Sequence, residues 1–277
     1  MPYLIAVSLL WAFSPGLTKG LTAGLDPNFV AAARLGLALL VFLPFLRTKG
    51  LNPRLSLQFA GIGAVQFGVM YLAYNASFRL LAAHEVALFT LTTPVLVTLL
   101  ADAIDRQFRV RAFAAALLAV GGTSVLVLTG RELRPTLAGL LLVQLSNLAF
   151  AFGQIAYRRL RARHAGLRDL DIFALPYAGA FLLALAASLT QPWPATISTQ
   201  QAITLLYLGA IASGAGFFLW NIGATRVGSG TLAVMNNAKI PLMVACSLLF
   251  FGEHADPAKL AISLLLLGTA AWFAEKR

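Results

Sequence analysis

Ten long apolar runs, parted by short polar or charged breaks, dictate what this chain can become. They cover Pro2–Thr18, Asn28–Leu46, Leu57–Phe78, Val86–Ala101, Ala112–Thr129, Thr136–Tyr157, Ile172–Thr190, Gln201–Thr225, Gly230–Phe251 and Leu260–Ala274. A helix needs about 20 apolar residues to cross the hydrocarbon core. The runs near 16 residues would cross as kinked or thinly spanning helices. Alternating strands of about ten residues, the mark of a membrane barrel, are not evident. With 59% hydrophobic and 11% charged residues, against about 25% charged in soluble chains, the expected fold is all-α integral membrane with ten transmembrane helices. The start, MPYLIAVSLLWAFSPG, lacks a basic n-region and a clear cleavage motif, so it reads as the first span.

The net charge of +11 could suggest nucleic acid. Its placement argues otherwise, because the positive residues sit in short breaks between apolar runs. With the N-terminus in the cytoplasm, 14 of the 21 Lys and Arg fall on the inside, among them Arg106, Arg109, Arg111, Arg158, Arg159, Arg161 and Arg163. Five, Lys19, Arg79, Arg131, Arg134 and Lys259, fall outside, and Arg34 and Lys239 lie within spans. This bias places both termini in the cytoplasm. One cysteine, Cys246, inside a span, supplies no disulfide framework.

The ninth run carries Asn236, Asn237, Lys239 and Pro241 near its middle, and the fourth carries Thr90, Thr92, Thr93 and Pro94 in matching places. Matching interrupted spans in two halves point to a transporter site. Tyr74-Asn75 aligns with Trp220-Asn221 at an offset of 146, and Pro94 with Pro241 and Gly121 with Gly268 at 147. Earlier, Trp11–Lys19 aligns with Phe150–Arg158 at an offset of 139. The chain therefore reads as two five-span halves, 1–130 and 136–277. Five is odd, so the second half enters the membrane inverted, with a site near the midplane between the halves.

Helical spacing collects polar and aromatic residues on single faces. The first span presents Ser8, Trp11, Pro15 and Thr18; the third Tyr71, Tyr74, Asn75 and Phe78; the eighth Phe217, Trp220, Asn221 and Ala224. The sixth presents Gln144, Asn147, Phe150 and Gln154, and the ninth Asn236, Lys239 and Met243. These residues either line a cavity or pack helix on helix; aromatics can also form interfacial belts. A lysine within a span is expected to face substrate or water at a functional site; the alternatives for Lys239 are snorkelling and pairing with the carbonyl end of a neighbouring helix. Pro94 and Pro241 are expected to break their helices. Arg34 reads as a structural element of the second span. The acidic residues and His84, His164 and His254 lie in breaks or at span ends. No metal cluster, nucleophile–base set or phosphate loop is evident, so neither a cofactor nor an enzyme is expected.

These features resemble the drug/metabolite transporter superfamily in its EamA-type branch. The first span SLLWAFSPGLTKG, Arg34, the Pro94/Pro241 pair and the FFGEHAD break carry the resemblance. The whole chain looks most like the YddG-type exporters of aromatic amino acids. One departure concerns the acid after the ninth span: Glu253 is present, but Ala103–Arg106 in the first half has aspartate and no glutamate. The resemblance implies a bacterial inner-membrane carrier working by alternating access, with a central cavity lined by the first, third, fourth, sixth, eighth and ninth spans. It implies Trp11, Tyr71, Tyr74, Asn75, Thr90, Asn147, Phe150, Gln154, Phe217, Trp220, Asn221, Asn236 and Lys239 as substrate-binding residues. Aromatic faces would stack on the substrate, and the amides and Lys239 would hold its carboxylate. The expected unit is a monomer in the bilayer with a small-molecule substrate and no nucleic acid. Export of another small metabolite, or a scaffold role without transport, are the alternatives.

Overall fold

The computed structural model describes residues 1–12, 24–81, 83–127, 134–250 and 257–275, with the backbone alone at 12, 83–84, 127, 243–250, 257 and 275. Pro15, Thr18, Lys19, Arg131 and Glu253 lie outside the described residues, as do the side chains of Met243 and Cys246. The described chain is helical: α1 (Pro2–Ala12), α2 (Pro27–Phe42), α3 (Pro53–Ser77), α4 (Ala83–Thr90), α5 (Thr93–Asp105) and α6 (Val110–Val127). Then follow α7 (Leu137–Arg163), α8 (Asp169–Ser188), α9 (Thr199–Thr225), α10 (Ser229–Phe250) and α11 (Pro257–Glu275). Among the described residues, six segments are long and apolar enough to cross a membrane: Pro27–Phe45, Pro53–Ser77, Glu85–Asp105, Leu137–Arg163, Asp169–Ser188 and Thr199–Thr225. Shorter apolar helices run over Pro2–Trp11, Val110–Leu126 and Ala258–Ala274.

Local chemistry sets the helix starts. Asp26 accepts the backbone N–H groups of Asn28 and Phe29 at 2.9 and 3.0 Å, with Pro27 in the first turn, where its missing donor costs nothing. Asn52 caps α3 through the Leu55 N–H at 2.7 Å, Thr136 caps α7, and Ser198 with Gln201 forms a reciprocal capping box on α9.

In lipid, hydrophobic burial does not drive helices together; close packing does. α3 meets α8 where Gly63 rests on the Pro176 backbone, so a Cβ at Gly63 would overlap the Pro176 carbonyl. α9 meets α2 where a Cβ at Gly209 would stand 2.6 Å from the Leu37 Cβ. α2, α3, α8 and α9 pack together on one side, and α5, α6, α10 and α11 on the other. α1 joins the sides by packing on α9 and α10, and α7 does so by packing on α3 and α5. Leu40, Leu57, Leu137 and Leu265 point outward and are exposed, as lipid-facing positions would be.

Two irregularities interrupt the helices. α3 opens into π-helical turns over Ala64–Val69 and α9 over Tyr207–Ala215. The fourth apolar run is broken between α4 and α5, just ahead of Pro94. Pro94 has no N–H for the Thr90 carbonyl, so the Thr93 hydroxyl donates to it instead, at 2.7 Å. Pro241 does not break its helix: α10 runs from Ser229 through to Phe250 with Pro241 inside it. A single interior proline removes one donor, and the helix can continue past it when neighbouring groups tolerate the freed carbonyl. The expected helix break is therefore found at Pro94 and not at Pro241.

Candidate functional site

At the junction of α1, α7, α9 and α10 the structure gathers seven of the sequence-predicted residues. The Trp11 ring stacks on Trp220 at 5.2 Å between centroids, stands edge-on to Phe217 at 5.4 Å and lies 6.3 Å from Phe150. Phe150 in turn lies 6.0 Å from both Phe217 and Trp220. The Trp11 indole N–H donates to the Ala212 carbonyl at 2.8 Å, within the π-helical turns of α9. Gly216 makes room for it, since a Cβ there would sit 2.7 Å from Trp11 Nε1.

Beside these rings lies an amide node. Gln154 Oε1 accepts the Trp220 indole N–H at 3.1 Å and the Asn236 amide at 3.2 Å, while Gln154 Nε2 donates to Asn236 Oδ1 at 3.2 Å. Gln154, Trp220 and Asn236 are buried, so each polar atom needs its partner inside the protein. Lys239, one turn beyond Asn236, places Nζ 5.2 Å from the Trp11 ring centroid. It makes no ion pair with a described residue, and its side chain is half-buried. Rings, amides that both donate and accept, and one cation thus converge where the helices meet. That set suits a small amphipathic solute carrying an apolar ring, a polar edge and a negative charge.

The third-span face divides. Tyr71 reaches the node, with its ring 5.9 Å from Phe217 and its hydroxyl 3.0 Å from Ser213 Oγ. Tyr74 instead packs on Phe78 at 5.0 Å, and Asn75 donates to the Pro27 carbonyl at 2.9 Å, tying α3 to α2. Asn221 donates back to the Phe217 carbonyl at 2.9 Å, and its Oδ1 has no partner among the described residues. Thr90 donates to the Val86 carbonyl of its own helix at 2.7 Å. Asn147 serves the break before Pro94: it donates to the Phe89 carbonyl at 2.9 Å and to Thr92 Oγ1 at 3.1 Å. Gln144 joins it on Phe89 and Thr92, and Asn237 donates to the Leu91 carbonyl at 3.0 Å. Carbonyls released by the break are thus held by amides of α7 and α10.

Three interior residues had no place in the sequence-predicted site. Arg34 donates from Nε to Ser213 Oγ at 3.1 Å and lies 4.7 Å over the Tyr71 ring, next to the aromatic node. Tyr177 donates to the Ser213 and Gly214 carbonyls at 2.9 and 2.6 Å. Gln66, buried in the π-helical turns of α3, packs where a Cβ at Gly153 would stand, and its Nε2 has no partner among the described residues. A glutamine in the middle of the third apolar run is the sequence signal for Gln66.

The EamA-like transporter family model matches residues 1–128 and again 137–274. The chain belongs to the EamA-like transporter family. It is a multi-pass membrane transporter and not an enzyme. Relatives include a probable biotin transporter of Pseudomonas aeruginosa, 40% identical over 98% of this chain and 96% of that protein. The biotin transporter of Salmonella typhimurium is 41% identical over 93% of this chain and 86% of its own length. That of Escherichia coli K12 is 37% identical over 100% and 93%. A protein of known crystal structure, 22% identical, superposes with a TM-score of 0.79 over 99% of this EamA chain and 96% of its own. At that identity it shows the fold alone. These curated relatives are named for biotin, so the narrower resemblance to exporters of aromatic amino acids has no support from them.

Proposed function

We propose that this chain carries biotin across the bacterial inner membrane by alternating access. The observation that carries the reading is the identity of 37–41%, over nearly the whole chain, to proteins named as biotin transporters. The site chemistry agrees. Biotin combines a compact fused ring, a ureido edge with one acceptor and two donors, and a short chain ending in a carboxylate. The rings of Trp11, Phe150, Phe217 and Trp220 suit the bicycle, Gln154 and Asn236 can meet the ureido edge, and Lys239 can meet the acid. Facilitated flux down the gradient is our reading of the energetics, because the described carboxylates lie at span ends rather than within the node.

We read the architecture as ten spans, α4 and α5 together making the fourth, in two inverted halves over 1–130 and 136–277. Equivalent residues support this. The pairs Trp11/Phe150 and Tyr71/Phe217 come together at the node. Gly63 and Gly209, 146 apart, each make a close helix approach. The π-helical Ala64–Val69 corresponds, at the same offset, to the end of Tyr207–Ala215. α2 packs on α8, α5 on α10 and α6 on α11, each on its counterpart in the other half. We read the unit as a monomer in the bilayer. The basic breaks favour cytoplasmic termini; a periplasm-only reporter fused after Arg277 should stay silent.

The decisive experiment is radiolabelled biotin uptake into proteoliposomes holding the purified chain, with tryptophan and phenylalanine in the same panel. Saturable biotin flux is expected. Flux of the aromatic amino acids without flux of biotin overturns the reading.

A further inference from the structure

At the end of the bundle where α5, α7 and α11 finish and α6 and α10 begin, the helices line an open cavity of about 750 Å³. Its wall carries Arg109, Arg111, Arg158, Arg159 and Arg163 against one lining carboxylate, Asp105. That acid is committed: Asp105 pairs with Arg109 at 2.5 Å and with Arg159, while Asp102 behind it takes Arg109 at 2.8 Å. The hydrogen bond that Arg109 donates to Asp105, with another to Asp102, raises Arg109 above the ordinary arginine value, as such pairing must. Arg158 is different. It is half-buried, lines the cavity and makes no ion pair or hydrogen bond with a described residue. Gly228, Ser229 and Gly230 bring the N-terminus of the 22-residue α10 to the same space. Its free N–H groups also favour an anion. Positive charge inside low-dielectric walls concentrates its field on whatever enters.

The cavity and the node share two helices, α7 and α10. Arg158 stands four residues past Gln154 on α7, on the same face and about 6 Å along the axis. Ile155, next to Gln154 in sequence, also lines the cavity. α10 gives the same order of depth independently: Ser229 lines the cavity, then come Asn236 and Lys239. An unpaired cation in the cavity is thus followed by the amide node and then by a second cation.

We infer that this cavity is a loading site for the carboxylate of an organic anion, with Arg158 as its direct ligand. The carboxylate docks on Arg158 and the α10 N-terminus before the solute passes to Gln154, Asn236 and Lys239. The inference deepens the biotin reading, whose acid would be the group held, yet requires only a carboxylate.

The test uses the full chain with Ala162→Cys on the cavity wall, in a Cys246→Ser background, and follows the rate of maleimide labelling in neutral detergent. Pentanoate should slow labelling severalfold, and uncharged pentanamide should not. Arg158→Gln should abolish the protection; Arg158→Lys, which keeps the charge, should retain part of it. In proteoliposomes Arg158→Gln should raise KM for biotin about tenfold, leave kcat unchanged and leave the KM of neutral biotin amide unchanged. Equal protection by pentanoate in the parent and Arg158→Gln proteins overturns the inference, as does protection by neither. Should phosphatidylglycerol in nanodiscs protect by itself and pentanoate add nothing, the cavity holds a lipid headgroup and the inference fails. Arg158-dependent protection in a protein that moves no biotin would sink the biotin reading and leave this one standing. Biotin flux with an unchanged KM in Arg158→Gln would do the reverse.

Discussion

The ammonium of Lys239 lies 5.2 Å from the centroid of the Trp11 ring, bringing α10 and α1 together beside the amide node. A cation over an indole face away from bulk water is stabilised by about 2 kcal/mol. That is not enough to offset removal of an ammonium from water, so a substrate carboxylate is the natural complement. Lys239→Met is expected to lower biotin uptake at least tenfold while changing uptake of biotin amide much less. Lys239→Arg keeps the charge with a different shape and reach, so intermediate uptake is expected. Equal losses for acid and amide would make Lys239 a packing residue.

Gln154 Oε1 serves two donors, the Trp220 indole and the Asn236 amide. Gln154→Leu strands both in the interior, at about 1–3 kcal/mol each. A fall in thermal midpoint in detergent is expected. Trp220→Phe in the same chain removes one stranded donor, so the double variant should recover part of the loss relative to additivity. Strictly additive losses would mean that the hydrogen bond contributes little.

Much of this arrangement was legible before any coordinates. Every apolar run contains a described helix, and the offset pairing Trp11 with Phe150 identified two residues that now share an aromatic cluster. Helical spacing, however, names a face and not what each turn of that face meets. Tyr71 and Tyr74 are three residues apart, yet Tyr71 meets Ser213 and Phe217 while Tyr74 meets Phe78. Asn147 looked like a cavity amide because its partner, the carbonyl of Phe89, is created only by the break ahead of Pro94. The difference between Pro94 and Pro241 was equally hidden. At Pro94 the hydroxyls of Thr92 and Thr93 take the Phe89 and Thr90 carbonyls, at 2.9 and 2.7 Å, and stabilise the break. Arg34 reads as structural from its position in the second span; its partner Ser213 lies in the π-helical turns of α9, which leave no mark in a hydropathy pattern.

Gly61 and Gly63 lie two residues apart on α3 but meet different surroundings. A Cβ at Gly61 would find nothing within 4 Å, whereas one at Gly63 would overlap the backbone of Pro176. Gly61→Ala should therefore be neutral or stabilise by up to about 1 kcal/mol, the helix-propensity gain. Gly63→Ala must separate α3 from α8 and should markedly reduce the yield of monodisperse protein. Gly209→Ala, facing the Leu37 side chain, should be milder than Gly63→Ala because a side chain can shift. Size-exclusion profiles and thermal midpoints of the three variants check the order; equal behaviour of Gly61→Ala and Gly63→Ala would contradict the packing.

Arg34 binds three helices at once: it sits on α2, stacks over Tyr71 of α3 and donates to Ser213 of α9, whose hydroxyl also meets the Tyr71 hydroxyl. Among the described residues it has no carboxylate partner, and a guanidinium suits this place because it can stack and donate together. A lysine ammonium, lacking the planar fork, cannot stack on the ring and donate to Ser213 at the same time. Arg34→Lys is expected to lower the thermal midpoint and to reduce kcat for biotin and for biotin amide by the same factor, because it loosens the α9 turns that hold Trp11 through Ala212. The KM values should stay near those of the parent chain. This pattern is opposite to the acid-selective loss expected of Lys239→Met, so the two variants measured side by side separate a scaffold cation from a substrate-facing one. A selective rise in KM for biotin alone in Arg34→Lys would transfer the carboxylate contact from Lys239 to Arg34.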